Sequence, residues 1–363
     1  MNIKEFYSGK IVLVTGHTGF KGSWISNILI ELGAKVVGYS LESPTNPSMF
    51  HLTNLEERMI SIIGDIRDFV SLKTIFDKYC PQIVFHLAAQ PLVKEGYENP
   101  LYTYQTNVMG TANVLECSRL SKCVKSIVNI TTDKVYQNNE WEWGYRESDT
   151  LNGYDPYSNS KSCSELISDS YKKSFFNDLK IPLSTARAGN VIGGGDFSPN
   201  RIIPDCIKSV IKNKPIVLRN PNSTRPYQHV LEPIYAYLLI AKKQYEDINY
   251  ASSYNIGPLT ADCVKTALLA DVFCKLWGNG SYWITQSDNG PHEANILRLD
   301  SSKISTKLGW RPIWSFEQAL QKTIEWTKHY LNKHDLIEIT ISQYYEYLKD
   351  LEDKNIEIIG YWS

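Results

Sequence analysis

The chain has 363 residues, of which 42% are hydrophobic and 21% charged, and its formal net charge is -1. That length supports one large core or two unequal ones, and the composition is ordinary for a globular enzyme. The near-neutral balance gives no global pull toward nucleic acid or an anionic membrane, and no apolar run approaches the roughly 18 residues of a membrane span. The first residues, MNIKEFYSGK, lack a signal-peptide core, so a cytoplasmic protein is expected. Seven cysteines, with no C-x-x-C pair among them, predict reduced thiols and argue against a disulfide frame or a zinc site; no metal is expected.

The first half alternates short apolar runs with helical patterns. IVLVTG (11–16) reads as a buried strand. Trp24, Ile25, Ile28, Leu29 and Leu32 then recur at helical spacing until Gly33 stops the helix. AKVVGYSL (34–41) is a second strand, and a third ends near Gly64 and Asp65. QIVFHLAA (82–89), KSIVNITT (125–132) and PLSTARAG (182–189) follow as strands with helices between them. A helix is predicted to begin after Arg201, SYNIGP (253–258) to return to the sheet as a strand, and about 261–328 to be rich in helix. The expected fold class is α/β: a Rossmann-type doubly wound parallel sheet with a smaller mixed C-terminal substrate-binding lobe. The Rossmann domain is expected over 1–187 with a returning segment at about 228–258. The lobe takes 188–227 and 259–330, and 331–363 form a terminal helix and tail.

GHTGFKG places Gly16, Gly19 and Gly22 between the first strand and its helix. Such glycines permit a tight turn and close approach of backbone to a pyrophosphate, and the helix N-terminus adds N–H donors and a positive dipole end. A dinucleotide site is therefore expected here. The residue after the second strand usually reads the ribose through an acid for NAD or an arginine for NADP. Ser40 falls at that position and no arginine stands nearby, so NAD is favoured, with Glu42 a candidate acid. Asp65 suits the adenine edge.

DPYSNSK carries Tyr157 and Lys161 one helical turn apart. A neighbouring ammonium and a positive nicotinamide are expected to lower the tyrosine pKa, so that it takes a proton from a substrate hydroxyl as hydride leaves. A Y-x-x-x-K pair alone occurs often on solvated helix faces. Its place downstream of the glycine loop and the TTDK strand end gives it weight. Of the histidines, His86 reads as a core residue and His229 as structural or pocket-lining, and with His292 they form no metal-ligand spacing.

Taken together, GHTGFKGSW, GDIRD, HLAAQPLV, TYQTNVMGT, TTDKVYQNNEWEWGYRE, DPYSNSKSCSEL, ARAGNVIGGGDF, RIIPD and RPYQHVLEP resemble the extended short-chain dehydrogenase/reductases, and among them the CDP-glucose branch of the sugar-nucleotide 4,6-dehydratases. The resemblance runs to about Pro312. It implies tightly held NAD, a CDP-sugar substrate, and a homodimer or homotetramer that binds neither nucleic acid nor membrane. It implies cofactor contacts from Phe20, Ile66, Leu87, Ala88, Ala89, Asn107, Tyr157 and Lys161, beside the glycines, Ser40 and Asp65. Thr132 would hydrogen-bond the sugar 4-hydroxyl and Asp133 would protonate the departing 6-hydroxyl. Lys134 stands where most sugar-nucleotide dehydratases carry Glu, and this departure, with the Trp141–Arg146 insert, selects the CDP-glucose branch. Lys134 would act at C5, as a neutral base or as a charged stabiliser. Gln90, Asn190, Arg201, Arg225 and His292 would hold the substrate, the last in a segment where many relatives place an arginine before Pro-Gly-His.

The implied reaction converts CDP-D-glucose to CDP-4-keto-6-deoxy-D-glucose and water by internal hydride transfer from C4 to C6, for deoxysugar and surface-polysaccharide synthesis. The rivals are a dehydratase or 4-epimerase for another nucleotide sugar, and a silent NAD-sensing protein, which would be expected to have lost Tyr157 or Lys161.

Overall fold

The computed structural model describes residues 2–286 and 296–360. Its strands are β1 (Ile11–Thr15), β2 (Lys35–Ser40), β3 (Ile60–Ile63), β4 (Ile83–His86), β5 (Ser126–Ile130), β6 (Leu183–Ala188), β7 (Val191–Ile192), β8 (Ile216–Leu218), β9 (Thr224–Pro226), β10 (Gln228–His229), β11 (Ser253–Ile256), β12 (Cys263–Lys265) and β13 (Trp283–Thr285). Seven of them make one sheet in the order β11-β6-β5-β4-β1-β2-β3, parallel at every pairing. β4, β5 and β6 are buried along their whole length and β1 after its first residue, as expected when helices cover both faces, whereas no residue of the edge strand β3 is fully buried. This is the doubly wound Rossmann-type sheet that the alternating pattern predicts.

Two cores sandwich the sheet. One packs the helices Phe20–Glu31, Leu231–Glu246 and Leu336–Gly360 on one face. The other packs Phe69–Tyr79 and Gly110–Leu120 on the opposite face. Trp24, Ile25, Ile28 and Leu29 are all fully buried, because their helix lies between the sheet and the C-terminal helix. A third core gathers Ile203, Cys206, Leu218, Phe273 and Leu320 outside the sheet, around β8, β9, β12 and β13. The sequence reading expects helix through this region; β12 and β13 are each three residues long, too short for a two-residue periodicity to show.

Cys80 and Cys123 form a disulfide, with Cα atoms 5.4 Å apart across 43 residues of sequence. This corrects the expectation of reduced thiols throughout. Cys80 ends the helix before β4 and Cys123 lies just before β5, so two adjacent parallel strands bring together residues whose spacing carries no signal. Among the described residues no helix is long and apolar enough to cross a membrane, and no group of His, Cys, Asp and Glu is arranged to hold a metal ion.

Strand order reverses between β1 and β4, where chains leaving the two strands diverge and open a crevice at the carboxyl edge of the sheet. The glycine loop and the Thr132–Lys134 turn leave the sheet at that edge, after β1 and β5.

Candidate active site

The glycine loop follows β1 directly. Gly16 has φ +77°, and a Cβ there would lie 2.7 Å from the Ala88 backbone nitrogen. A Cβ on Gly22 would lie 2.0 Å from the Gly16 carbonyl oxygen. The turn therefore closes only with glycine at both places, leaving a cradle at the N-terminus of Phe20–Glu31, capped by Gly19. Leu87 and Ala88 line its far wall: their N–H groups donate to the carbonyl and hydroxyl oxygens of Thr15, both at 3.2 Å. Ala89 follows, partly buried, at the carboxyl end of β4. Phe20 lies under Gly193.

At the other end of the crevice the Ser40 hydroxyl is 2.9 Å from that of Thr18. Asp65 receives the Arg67 backbone N–H at 2.9 Å and grips its guanidinium at 2.9 and 2.5 Å. Those bonds hold the Asp65 carboxyl below the usual carboxylate range. Arg67 in turn lies over the Tyr102 ring, 4.9 Å from its centroid. Asp65, Arg67, Asp68, Gln105 and Met109 line an open cavity of about 420 Å³. Ile66 is buried against Gly110. Asn107 sits in a π-helical turn, Gln105–Met109, where its side chain donates to the Gln90 carbonyl at 3.0 Å and the Ser160 hydroxyl at 2.8 Å. The cradle, the gap beside it and the polar far end fit a dinucleotide lying across the carboxyl edges of β1, β2 and β4.

The helix Pro156–Tyr171 starts sharply. Pro156 takes its first position, and Asp155 caps it by accepting from the Ser158 N–H at 3.0 Å. That start sets the phase that turns Tyr157 and Lys161 together toward the end of β5. The Lys161 ammonium donates to the Ile130 carbonyl at 3.1 Å. Burial pulls the lysine down to about 8, while Glu165 raises it. The Tyr157 hydroxyl bonds the Thr132 side chain. Burial pushes it up to about 12, with Thr132 and Arg201 pulling down and Asp133 pushing up. The expected lowering of Tyr157 is thus corrected for the protein's own groups, because desolvation of the phenolate outweighs the nearby cation.

After β5, Thr132 donates to Asp133 Oδ1 at 3.0 Å and accepts from the Lys134 N–H at 3.4 Å. Asp133 is only 1% exposed, yet its Oδ2 is buried without a hydrogen-bond partner. A Cβ on Gly189 would stand 2.7 Å from the Pro226 ring and 3.3 Å from that oxygen, so glycine at 189 is what lets Pro226 pack this close to the carboxylate. Lys134 is half-buried beside it.

The predicted substrate contacts distribute unevenly. Arg225 is buried on β9, and its guanidinium donates to the Thr224 carbonyl at 3.0 Å. Arg201 caps its helix and pairs with Asp196 at 3.0 Å. Its charge reaches both Tyr157 and Lys21. Asn190 is half-buried at the β6–β7 junction, its carbonyl accepting from Gln228. Gln90 spends its amide on the Thr103 hydroxyl and the Leu92 N–H, which shapes the loop after β4. His292 lies outside the described residues.

Sequence reasoning missed Lys21. It stands in the first turn of Phe20–Glu31, and burial, with Arg201 next, pulls it down to about 8 against the opposing pull of Asp133. The lysine inside GHTGFKG was its only sequence signal.

A family model described as GDP-mannose 4,6 dehydratase matches residues 13–323. A CDP-glucose 4,6-dehydratase of Salmonella typhimurium is 46% identical over 340 residues, spanning 92% of this chain and 95% of that protein. Among solved structures, a UDP-glucose 4-epimerase of Thermotoga maritima with UDP-glucose matches with TM-score 0.78 at 23% identity, over 88% of this chain and 99% of that one. A dTDP-glucose 4,6-dehydratase of Bacillus anthracis in complex with NAD matches with TM-score 0.76 at 20% identity, over 91% and 100%. These structural likenesses establish the fold, and the sequence matches establish the family. The chain belongs to the family described as GDP-mannose 4,6 dehydratase, within the extended short-chain dehydrogenase/reductases.

Proposed function

We propose that this chain is an NAD-dependent nucleotide-sugar 4,6-dehydratase acting on CDP-glucose, and that it works as a homo-oligomer. The observation that carries the chemistry is the Asp133 carboxylate: buried, one oxygen unpartnered, next to Tyr157 and bonded to Thr132. A buried polar atom left without a partner is uncommon and marks a place where a ligand group completes the bonding. The named relative from Salmonella typhimurium and the lysine at position 134 support CDP-glucose over other sugar nucleotides.

In this reading Thr132 and Tyr157 bracket the sugar 4-hydroxyl, and Tyr157 takes its proton. Bound NAD supplies the acceptor, and later the donor, of the hydride that moves from C4 to C6. The ketone left at C4 acidifies the C5 proton, which leaves with help from Lys134 and is replaced when the hydride reaches C6. Asp133 gives a proton to the 6-hydroxyl as it departs as water. Lys161 supplies positive charge behind Tyr157. Arg225 and Asn190 hold the diphosphate, and an arginine suits that task through its planar fork. Arg201 lines the nucleotide side. The glycine cradle binds the cofactor's pyrophosphate, with Ser40 and Asp65 at its adenosine end. Tyr97, Leu101, Tyr154 and Leu166 expose apolar surface on or beside neighbouring helices, a face that a second copy would cover.

The test is incubation of the purified protein with CDP-glucose, dTDP-glucose, UDP-glucose and GDP-mannose, scored by mass. Loss of one water from CDP-glucose alone is expected. Loss from a different sugar nucleotide would move the specificity, and isomerisation without mass change would make the enzyme an epimerase.

A further inference from the structure

Behind the reacting groups lies a buried polar assembly that the proposed mechanism does not use. Glu165 stands one turn beyond Lys161 on the same helix. Its Oε1 accepts from the Thr131 hydroxyl at 2.5 Å and from Arg187 Nε at 2.9 Å. Its Oε2 accepts from the Thr185 hydroxyl at 2.6 Å and from Arg187 Nη2 at 2.9 Å. The Arg187 and Glu165 side chains are 3% and 2% exposed. One carboxylate thus fastens the tyrosine–lysine helix to the ends of β5 and β6, beside Thr132 and Asp133.

Arg187 continues outward. Its Nη1 donates to the Tyr136 hydroxyl at 2.7 Å and to the Glu147 carbonyl at 3.2 Å. Tyr136 donates to Asn255 Oδ1 at 2.6 Å. Asn255 Nδ2 donates to the carbonyls of Tyr145 and Asp300, at 2.7 and 3.1 Å. A stack runs alongside: Trp141 lies on Tyr145, Tyr145 on Tyr136, and Arg187 over the Tyr136 ring. Asp300 belongs to the segment that includes Ile296 and Leu299. That segment bridges Thr224, the neighbour of Arg225, and Tyr145. A continuous path, buried from Asn255 inward, therefore joins the strand that carries Arg225 to Thr131 and the Lys161 helix.

We infer that Glu165, Arg187, Tyr136 and Asn255 form a positioning strut, which holds the Thr132–Asp133 turn and the Tyr157–Lys161 helix in register with the segment beside Arg225. None of the four is assigned to contact substrate. An apolar pair of similar volume would hold helix and sheet together at least as firmly, since a buried ion pair contributes little net stability. What fixed donors and acceptors add is orientation, because every oxygen of Glu165 and every branch of Arg187 has a designated partner. Lys161 is the group most exposed to a fault in this strut. It is faced by Glu165 and Tyr157 from its own helix, by His86 from β4 and by Lys21 from the glycine-loop helix.

The inference rests on the roles proposed for Tyr157 and Lys161, and the experiment separates the two. The full chain, loaded with NAD, is mixed with CDP-glucose, and the rate constant for the rise of reduced-nicotinamide absorbance is measured for the wild type, Tyr136→Phe, Glu165→Gln and Tyr157→Phe. Loss of folded enzyme lowers the amplitude of that rise, whereas misplacement of the reacting groups lowers its rate constant. Tyr136→Phe keeps the ring stack and the ion pair and removes one bridging hydroxyl. Its rate constant is expected to fall about five- to tenfold, the worth of one neutral hydrogen bond, with KM little changed. Glu165→Gln is expected to be slower still; should it fail to fold, Tyr136→Phe decides alone. A wild-type rate constant in Tyr136→Phe, whether or not its amplitude or thermal midpoint falls, overturns the strut. A near-normal rate in Tyr157→Phe overturns the site assignment, whatever Tyr136→Phe does.

Discussion

Gly22 lies so close beneath Gly16 that a Cβ at position 22 would stand 2.0 Å from the Gly16 carbonyl oxygen. The obstacle is backbone, so no rotamer change relieves it, and the loop itself has to move. A Cβ on Gly19 would meet the same oxygen at 3.4 Å, an ordinary contact. Gly22→Ala is therefore expected to weaken NAD binding by at least tenfold, about 1.4 kcal/mol, and Gly19→Ala to weaken it much less. Titration of NAD into each purified variant by calorimetry checks this. Equal losses would mean that the motif's glycines act through the ligand alone and not through the turn.

Asp133 makes a second sharp case. Its Oδ2 has no partner among the described residues, while Oδ1 accepts from Thr132. Asp133→Asn keeps size and shape but removes the acid. Loss of water from C6 should slow by roughly 10²-fold or more, the usual contribution of a placed proton donor. Oxidation at C4 should be spared. Quenched-flow mass analysis of the bound sugar is the measurement, and the outcome that would falsify the role is dehydration at the wild-type rate.

The parallel sheet could be read from the sequence because IVLVTG, QIVFHLAA and KSIVNITT carry short apolar runs of strand length between helical patterns. The glycine loop and the Tyr157–Lys161 pair could be read because each is local, its geometry following from spacing within one turn or helix. The strut was invisible for the opposite reason. Tyr136, Glu165, Arg187 and Asn255 are spread over four separate elements, and only the pairing of Asn255 with Arg187 across β11 and β6 brings the last two together. Lys21 was passed over because a lysine in a first helical turn reads as solvated, whereas here Arg201, Asp133 and Lys161 surround it. The Cys80–Cys123 contact likewise depends on β4 lying beside β5.

A pH dependence follows from Glu232. Its carboxylate is fully buried, accepting from the Ile313 and Trp314 N–H groups at 2.8 and 2.7 Å and from the Tyr347 hydroxyl at 2.8 Å. Burial nevertheless lifts it to about 7. A carboxyl raised on folding binds its proton more tightly in the folded state. Its stabilising share is complete below the unfolded value of about 4.3 and is lost as pH climbs to about 7. The loss is on the order of 4 kcal/mol at about 1.4 kcal/mol per unit. Glu232→Gln should therefore flatten the fall in thermal midpoint between about pH 5 and pH 8. A variant whose midpoint falls as steeply as the wild type's would assign the dependence to other groups.

Lys134 tests the step at C5. It sits on the short turn Asp133–Val135, half-buried, and among the described residues its ammonium has no ion-pair partner. Two roles fit that position. As a neutral amine it would take the C5 proton itself; as a cation it would stabilise the enolate while another group or a water takes the proton. Either role begins only after C4 is oxidised, because the ketone is what acidifies C5. Lys134→Ala should therefore oxidise C4 and stall, so that reduced-nicotinamide absorbance builds up and solvent deuterium enters C5 slowly. Lys134→Arg separates the two roles, since a guanidinium stays charged at every accessible pH. Partial recovery of turnover in the arginine variant points to a charged stabiliser, and continued stalling with slow deuterium exchange points to a base. Wild-type turnover in Lys134→Ala, or absence of the absorbance rise, would remove Lys134 from C5 chemistry and leave it a surface lysine after the strand.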